Sequence, residues 1–139
     1  MKPPNVALRG LVLQWLDKAA ADLAAAEHLA AHGGPFREIV AFHCQQAAEK
    51  YLKAFLARCQ VEFPKTHDIA KLLDLVASVN ANMAKSLRDA DALTPFGVEV
   101  RYPRDAPELL PGGETEAIDM ARRVKDAAMI SLQSYCDEG

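Results

Sequence analysis

Apolar residues recur at the spacing of an α-helix in five segments of the chain, and short runs rich in glycine, proline or asparagine separate several of them. The first segment spans about 6–31. The run His32-Gly33-Gly34-Pro35 ends it, because glycine terminates helices and proline cannot continue them. The second spans about 36–60 and carries an apolar stripe from Val40 to Cys59. The pattern therefore predicts two helices joined by a short connection.

Three further helices are predicted in the rest of the chain. The third reaches about residue 79, and its N-cap is Thr66 or Asp68, since either side chain has an oxygen that accepts from an orphan amide. The fourth spans about 83–93 and the last about 114–135. Between these two lies the stretch TPFGVEVRYPRDAPELLPGGET, whose four prolines and three glycines predict irregular structure.

Four long helices and one shorter helix predict an all-α fold. Short connections favour antiparallel neighbours, so we expect an up-and-down bundle that forms a single domain over residues 1–139. Half of the residues are apolar, aromatic residues are few and alanine is abundant. That mixture suits close-packed helices better than strands.

The bulk properties narrow the classes of function. A net charge of −3 argues against nucleic-acid binding through bulk electrostatics. No apolar run approaches the ~20 residues of a membrane span. The N-terminal stretch carries Arg9 and Asp17 inside a helical pattern, so it is not interpreted as a signal peptide, and we expect a cytoplasmic protein without a membrane anchor. Cys44, Cys59 and Cys136 lack CxxC spacing, which predicts neither a disulfide framework nor a zinc site.

The stretch FHCQQAAEKYLKAFL, residues 42–56, carries polar side chains along one side of the second helix. At about 100° per residue, Gln46, Glu49, Lys50 and Lys53 share one face, with His43 just above it. We call the first four residues the polar ridge. Glu49 and Lys53 have the favourable i,i+4 order for an ion pair, worth about 0.2–0.5 kcal/mol. The ridge is either a solvated face or a binding surface on which amides contact a base edge and lysines hold phosphate.

Three blocks of the sequence resemble the HEPN domain family: FHCQQAAEKYLKAFL, PKTHDIAKLLDLV and LTPFGVEVRYPRD, in the family's order. The resemblance extends over about residues 11–135. It implies a five-helix bundle, commonly a dimer, in a prokaryotic protein often encoded beside a small nucleotidyltransferase, in some cases as a toxin–antitoxin pair. Some members are metal-independent ribonucleases, whereas others are thought to bind nucleotides or only a partner protein.

Arg37 and His43 have the spacing found in the ribonuclease members, in which an arginine, four to six residues and a histidine follow one another. RNA cleavage of this kind needs a group that moves the 2′-hydroxyl proton and a cation that stabilises the phosphorane. On one unbroken helix, six steps turn about 600° and leave the two side chains about 120° apart. They meet only if the helix begins after Arg37 or if two chains supply one residue each. Otherwise His43 is a packed, hydrogen-bonded residue.

Four residues outside the second helix are further candidates for a nucleotide- or partner-binding site. His67 and Asp68 are either an acid/base dyad or part of a helix cap. Arg101 and Tyr102, in the VRYPRD segment, are either a ligand site or a clamp in which the arginine binds a carboxylate such as Glu49. No glycine-rich phosphate loop and no complete set of metal-ligand spacings is visible, so no cofactor or metal is predicted.

Three functions follow as alternatives. The leading hypothesis is a non-catalytic binding module that forms a homodimer, partners a small nucleotidyltransferase and binds a nucleotide between the second helix and the VRYP segment. The second is a metal-independent ribonuclease of the toxin type that acts on RNA through Arg37 and His43. The third is a purely structural helical dimer, in which the polar ridge is salt-bridged scaffolding and Lys50→Ala lowers stability without altering binding.

Overall fold

The computed structural model of the chain describes residues 4–32, 34–97 and 109–137. These ranges contain five α-helices and two 3₁₀ segments and no strand, so the expected all-α bundle is confirmed. The α-helices are α1 (Pro4–Ala30), α2 (Arg37–Arg58), α3 (Ile69–Ala77), α4 (Ala81–Ser86) and α5 (Gly113–Asp137), and the 3₁₀ segments are Gly34–Phe36 and Arg88–Phe96.

Helix α2 occupies the centre of the bundle and packs against α1, α3, α5 and the second 3₁₀ segment. Large buried side chains include Tyr51, Leu52 and Leu56 of α2, Ile69, Leu72 and Leu73 of α3, and Leu132 of α5. Fully buried alanines lie between the long helices and permit close approach: Ala19, Ala26, Ala47, Ala48, Ala121 and Ala128. Burial of apolar area on nearly every side of α2 is the main stabilising term of the fold.

Within the described ranges three helices are long, with 27 residues in α1, 22 in α2 and 25 in α5, whereas the sequence pattern predicts four. Helices α1 and α2 pack side by side and are joined by a short turn, so they are antiparallel. Helix α5 runs parallel to α2, because Arg37 at the start of α2 contacts Glu114 at the start of α5. Arg122 of α5 contacts Glu27 near the end of α1, which fits the same direction. The short elements between α2 and α5 return the chain to the starting end of α2.

Helix α2 ends in a Schellman motif at Gln60. The amide of Gln60 bonds the carbonyl of Ala57 at 3.0 Å, and the amide of Val61 bonds the carbonyl of Leu56 at 2.9 Å. Gln60 therefore adopts the left-handed conformation, with a φ of 56°, that this motif usually gives to glycine. The motif reverses the chain, so that the connection from α2 to α3 runs beside α2.

Side-chain caps fix the starts of the two short helices. The Asp68 carboxylate accepts from the amide of Ala70 at 2.9 Å, so Asp68 rather than Thr66 is the N-cap of α3. The Asn80 side chain accepts from the amide of Met83 at 3.0 Å and caps α4. Each cap satisfies an amide that the helix itself leaves without a partner.

The fourth helix expected over 83–93 is divided into α4 and the second 3₁₀ segment. The Thr94 hydroxyl accepts from the amide of Ile69 at 3.1 Å and donates to Asp91 at 3.0 Å. These bonds attach the 3₁₀ segment to the start of α3. Pro95 lacks an amide and restricts the residue before it, so a regular α-helix does not continue here.

Candidate functional site on the second helix

The polar ridge of α2 is packed against other elements rather than solvated along its length. Glu49 and Lys53 have only 4% and 7% of their side chains exposed, so the interpretation as a solvated face is wrong for these two residues. They form the i,i+4 ion pair that their spacing predicts, with Lys53 Nζ 2.8 Å from Glu49 Oε2. Burial removes both charges from water, so each depends on its partners for compensation.

Glu49 is the acceptor at the centre of a buried cluster. Its Oε1 accepts from Nδ1 of His67 at 2.8 Å and from Nε2 of Gln45 at 3.2 Å, while Oε2 accepts from Lys53. We call Gln45, Glu49, Lys53 and His67 the Glu49 cluster. Three donors on one carboxylate compensate for its lost hydration and fix the orientation of every member.

Lys53 is held between two aromatic rings as well as by Glu49. Its ammonium lies 5.4 Å from the ring centroid of Trp15 in α1 and 5.9 Å from that of Phe63 in the α2–α3 connection. The two rings meet edge to face at a centroid distance of 6.2 Å. Cation–π attraction therefore supplements the ion pair. Lys53 holds α1 against the segment between α2 and α3, so its ammonium is not a free cation for a ligand.

Gln45 is fully buried, and its amide bonds three neighbours. Its Oε1 accepts from Nε2 of Gln46 at 2.7 Å, and its Nε2 donates to Glu49 and to the backbone carbonyl of His67, the latter at 2.9 Å. Gly97 packs directly on this amide, since a Cβ at Gly97 would lie 2.5 Å from Gln45 Cδ. Gln45 therefore joins α2 to the start of α3 and to the end of the second 3₁₀ segment.

A second cluster lies where α2 packs on α1. Asp22 of α1 places Oδ1 2.9 Å from Nδ1 of His43, and its Oδ2 accepts from the ammonium of Lys50. All three side chains are partly buried. We call them the Asp22 cluster. The Asp22 carboxylate holds the two helices together through one imidazole and one ammonium. Part of the His43 ring and part of the Lys50 side chain remain exposed.

Arg37 and His43 are not brought together in the chain. Arg37 is the first residue of α2, and its Nε lies 3.2 Å from Oε2 of Glu114 in α5 without hydrogen-bond geometry. His43 binds Asp22 in α1. The two side chains therefore interact with carboxylates of different helices, as their angular separation on α2 predicts.

The candidates outside α2 have different positions. Asp68 caps α3, whereas the imidazole of its neighbour His67 binds Glu49, so these two residues do not form a dyad with each other. Arg101 and Tyr102 lie outside the described residues. The segment that contains them follows Gly97, which is the residue that packs on Gln45.

Sequence reasoning left four residues of these clusters out of the candidate set: Gln45, Asp22, Trp15 and Phe63. One of them had a usable signal. Gln45, Glu49 and Lys53 are spaced four residues apart, so they form one continuous row along a helix. The spacing that pairs Glu49 with Lys53 also places Gln45 beside Glu49. The other three come from separate elements, and no local spacing relates them to the row.

The two cysteines whose side chains are described behave as buried apolar groups. Cys44 is fully buried in the core, and burial, with a smaller effect of the Glu27 charge, raises the pKa of its thiol to about 12. Burial also raises the pKa of the Cys59 thiol. A nucleophilic cysteine requires a lowered pKa, so neither thiol suits covalent catalysis.

Comparison with known proteins gives one family. The family model described as HEPN domain matches residues 12–131 of the chain. No curated protein and no solved structure matches it. Within the described ranges, no helix combines the length and the apolar character that crossing a bilayer requires.

Proposed function

The chain belongs to the HEPN domain family, and from this membership and the contacts around α2 we propose that it is a non-catalytic binding module of the cytoplasm. In this proposal it forms a homodimer, engages a small nucleotidyltransferase protein and binds a nucleotide beside α2. Family membership supports the dimer and the partner, whereas the arrangement around Gln45 supports the nucleotide site.

The convergence of candidate residues at Gln45 is the observation that carries the nucleotide site. Gln45 bonds Gln46, Glu49 and the backbone of His67, and Gly97 packs on its amide. The chain leaves Gly97 directly into the segment with Arg101 and Tyr102. Gln46, Glu49, His67 and Gly97 therefore meet at one place on α2, where a ligand can contact several elements at once.

The separation of Arg37 from His43 favours binding over catalysis. Each side chain already interacts with a carboxylate, Glu114 of α5 for Arg37 and Asp22 of α1 for His43. For catalysis, the cation must lie within hydrogen-bond distance of the phosphorane oxygen while the histidine acts at the same phosphate. In one chain, this pair does not supply that geometry.

Calorimetric titration with ATP, AMP and GTP tests the nucleotide site in the folded protein. We expect heat of binding for the parent and a weaker signal for Gln46→Ala, because the half-buried Gln46 lies between the two clusters of α2. Gln60→Ala removes an exposed glutamine at the far end of α2 and is the matched control. No heat with any of these nucleotides at millimolar concentration contradicts the nucleotide site.

Light scattering on the purified protein tests the homodimer. Sequencing of the adjacent genes, followed by co-expression with a small nucleotidyltransferase encoded there, tests the partner. We expect twice the monomer mass in the first measurement and a stable complex in the second. A monomer that fails to retain the nucleotidyltransferase contradicts this part of the proposal, whatever the result with nucleotides.

Metal-independent RNA cleavage is the second candidate, and the Asp22 cluster is the observation that favours it. A carboxylate beside Nδ1 orients the imidazole of His43 and leaves Nε2 as the nitrogen that accepts a proton, as a general base requires. Cleavage of RNA in EDTA by the parent, with loss in His43→Ala, would establish this function in place of a purely binding module.

A further inference from the structure

His67 is held by α2 at two points. Its Nδ1 bonds Oε1 of Glu49 at 2.8 Å, and its backbone carbonyl accepts from Nε2 of Gln45 at 2.9 Å. The next residue, Asp68, caps α3 and fixes the backbone on the other side. The imidazole is therefore fixed in place even though 66% of its side chain is exposed.

The partner of Nδ1 decides the chemical state of the ring. A carboxylate only accepts hydrogen bonds, so Nδ1 carries the proton and, in the neutral ring, Nε2 carries the lone pair. Glu49 is buried whereas most of the ring is exposed, so the edge opposite Glu49 is the part that meets solvent. This arrangement offers an accessible nucleophilic nitrogen backed by a buried anion.

Beyond the binding functions, we propose that His67 is a phosphoryl-accepting residue that takes a phosphoryl group on Nε2 from small donors with a phosphorus–nitrogen bond or an acyl phosphate bond. The Nε2 lone pair attacks phosphorus, the new N–P bond forms and the bond from phosphorus to the leaving group breaks. With a phosphoramidate donor the leaving nitrogen takes a proton from water and departs as ammonia. No oxidant or further reactant is needed.

Glu49 and Gln45 act as positioning residues in this reaction. The ring gains positive charge as Nε2 bonds phosphorus, and the Glu49 carboxylate on Nδ1 stabilises that charge. Lys53 lies 2.8 Å from the other carboxylate oxygen of Glu49 and holds that side of the carboxylate in place. Gln45 holds the backbone of His67, so the ring does not swing away from Glu49.

The other histidines are internal controls. His28 and His32 are exposed and contact each other edge to face at 4.9 Å, and among the described residues no carboxylate bonds either ring. His43 has a carboxylate, Asp22, but only 27% of its side chain is exposed. His67 alone among the four combines a carboxylate on Nδ1 with an exposed ring.

Incubation of the intact protein with potassium phosphoramidate at neutral pH tests the proposal, with peptide mapping by mass spectrometry and phosphorus NMR as readouts. We expect one phosphoryl group on His67, attached to Nε2, formed about tenfold faster than on His28 or His32. His67→Asn should abolish that product and leave slow labelling elsewhere. Equal labelling of the three histidines, attachment to Nδ1 or no phosphohistidine would overturn the proposal.

Glu49→Gln tests the positioning role directly. We expect the rate at His67 to fall toward that of His28 in a variant whose folding is checked by circular dichroism. This change leaves Lys53 without its counterion, so the variant can also unfold. In that case Gln45→Ala is the second variant, because it frees the His67 backbone without removing a charge. An unchanged rate in a folded variant of either kind contradicts the mechanism. Nucleotide calorimetry is a separate measurement, so the binding function and this reaction can fail independently.

Discussion

Gly97→Ala tests whether the packing around Gln45 is as tight as the contacts indicate. The backbone of Gly97 has φ −80° and ψ 4°, which alanine adopts without strain. On backbone grounds alone the change would stabilise the fold by about 0.4–1 kcal/mol through the unfolded chain. The new Cβ, however, would lie 2.5 Å from Cδ, 2.7 Å from Oε1 and 2.8 Å from Nε2 of Gln45.

The cost depends on whether Gln45 is able to move. An exposed glutamine would rotate away at little expense, but Gln45 is fully buried and its amide bonds Gln46, Glu49 and the His67 carbonyl. Overpacking a core costs about 1–3 kcal/mol, and each lost hydrogen bond adds about 1 kcal/mol. After the gain from the unfolded chain, we expect Gly97→Ala to lower the free energy of unfolding by about 2 kcal/mol.

Urea unfolding followed by circular dichroism measures this change, with two controls. Gly10→Ala lies on the exposed face of α1 with no atom within 4 Å of the new Cβ, so it should raise stability by about 1 kcal/mol. In a Gln45→Ala background, the Gly97→Ala cost should largely disappear, because the colliding amide is gone. A Gly97→Ala protein as stable as the parent, or a cost that is unchanged in the Gln45→Ala background, would refute the reasoning.

Three further predictions concern other positions. Gln60→Gly should raise the free energy of unfolding by about 1 kcal/mol, because Gln60 has a positive φ that glycine adopts without strain. Gln60→Ala should give no such gain, and an equal gain from both substitutions would contradict this reasoning. Asp68→Ala should lower the free energy of unfolding by about 1 kcal/mol in the same urea experiment, because the α3 cap is lost. An unchanged unfolding midpoint would show that the cap is dispensable. At pH 9, iodoacetamide should label Cys44 only after unfolding, because burial raises the pKa of its thiol to about 12; rapid labelling of the native protein, followed by mass spectrometry, would contradict its burial.

Local rules account for what the sequence predicted correctly. Helical periodicity located α1, α2 and α5 to within a few residues, because each buries a continuous apolar stripe. Asp68, one of the two predicted caps, marks the start of α3, since a cap depends only on the next three residues. The Glu49–Lys53 pair likewise needs only the geometry of one helix.

The same rules missed the division of the fourth helix and did not address the direction of α5. The second 3₁₀ segment depends on a bond between Thr94 and Ile69, which are 25 residues apart. The parallel packing of α5 on α2 depends on how three short elements return the chain, and periodicity within a segment contains no information about direction.

The sequence by itself determined an all-α chain, the limits of its long helices and the row of polar residues on α2. Only the tertiary structure decided which residues of that row are buried and which partners they bind, because a polar face has the same helical spacing whether it meets water or other side chains. Asp22 reaches it from 21 residues before His43, and His67 from 18 residues after Glu49. Trp15 and Phe63, also distant in sequence, pack around Lys53. Glu49 and Lys53 are buried in this packing, whereas most of the His67 ring stays exposed. Burial is a property of the whole packed chain, so the spacing of polar residues on one helix does not determine it.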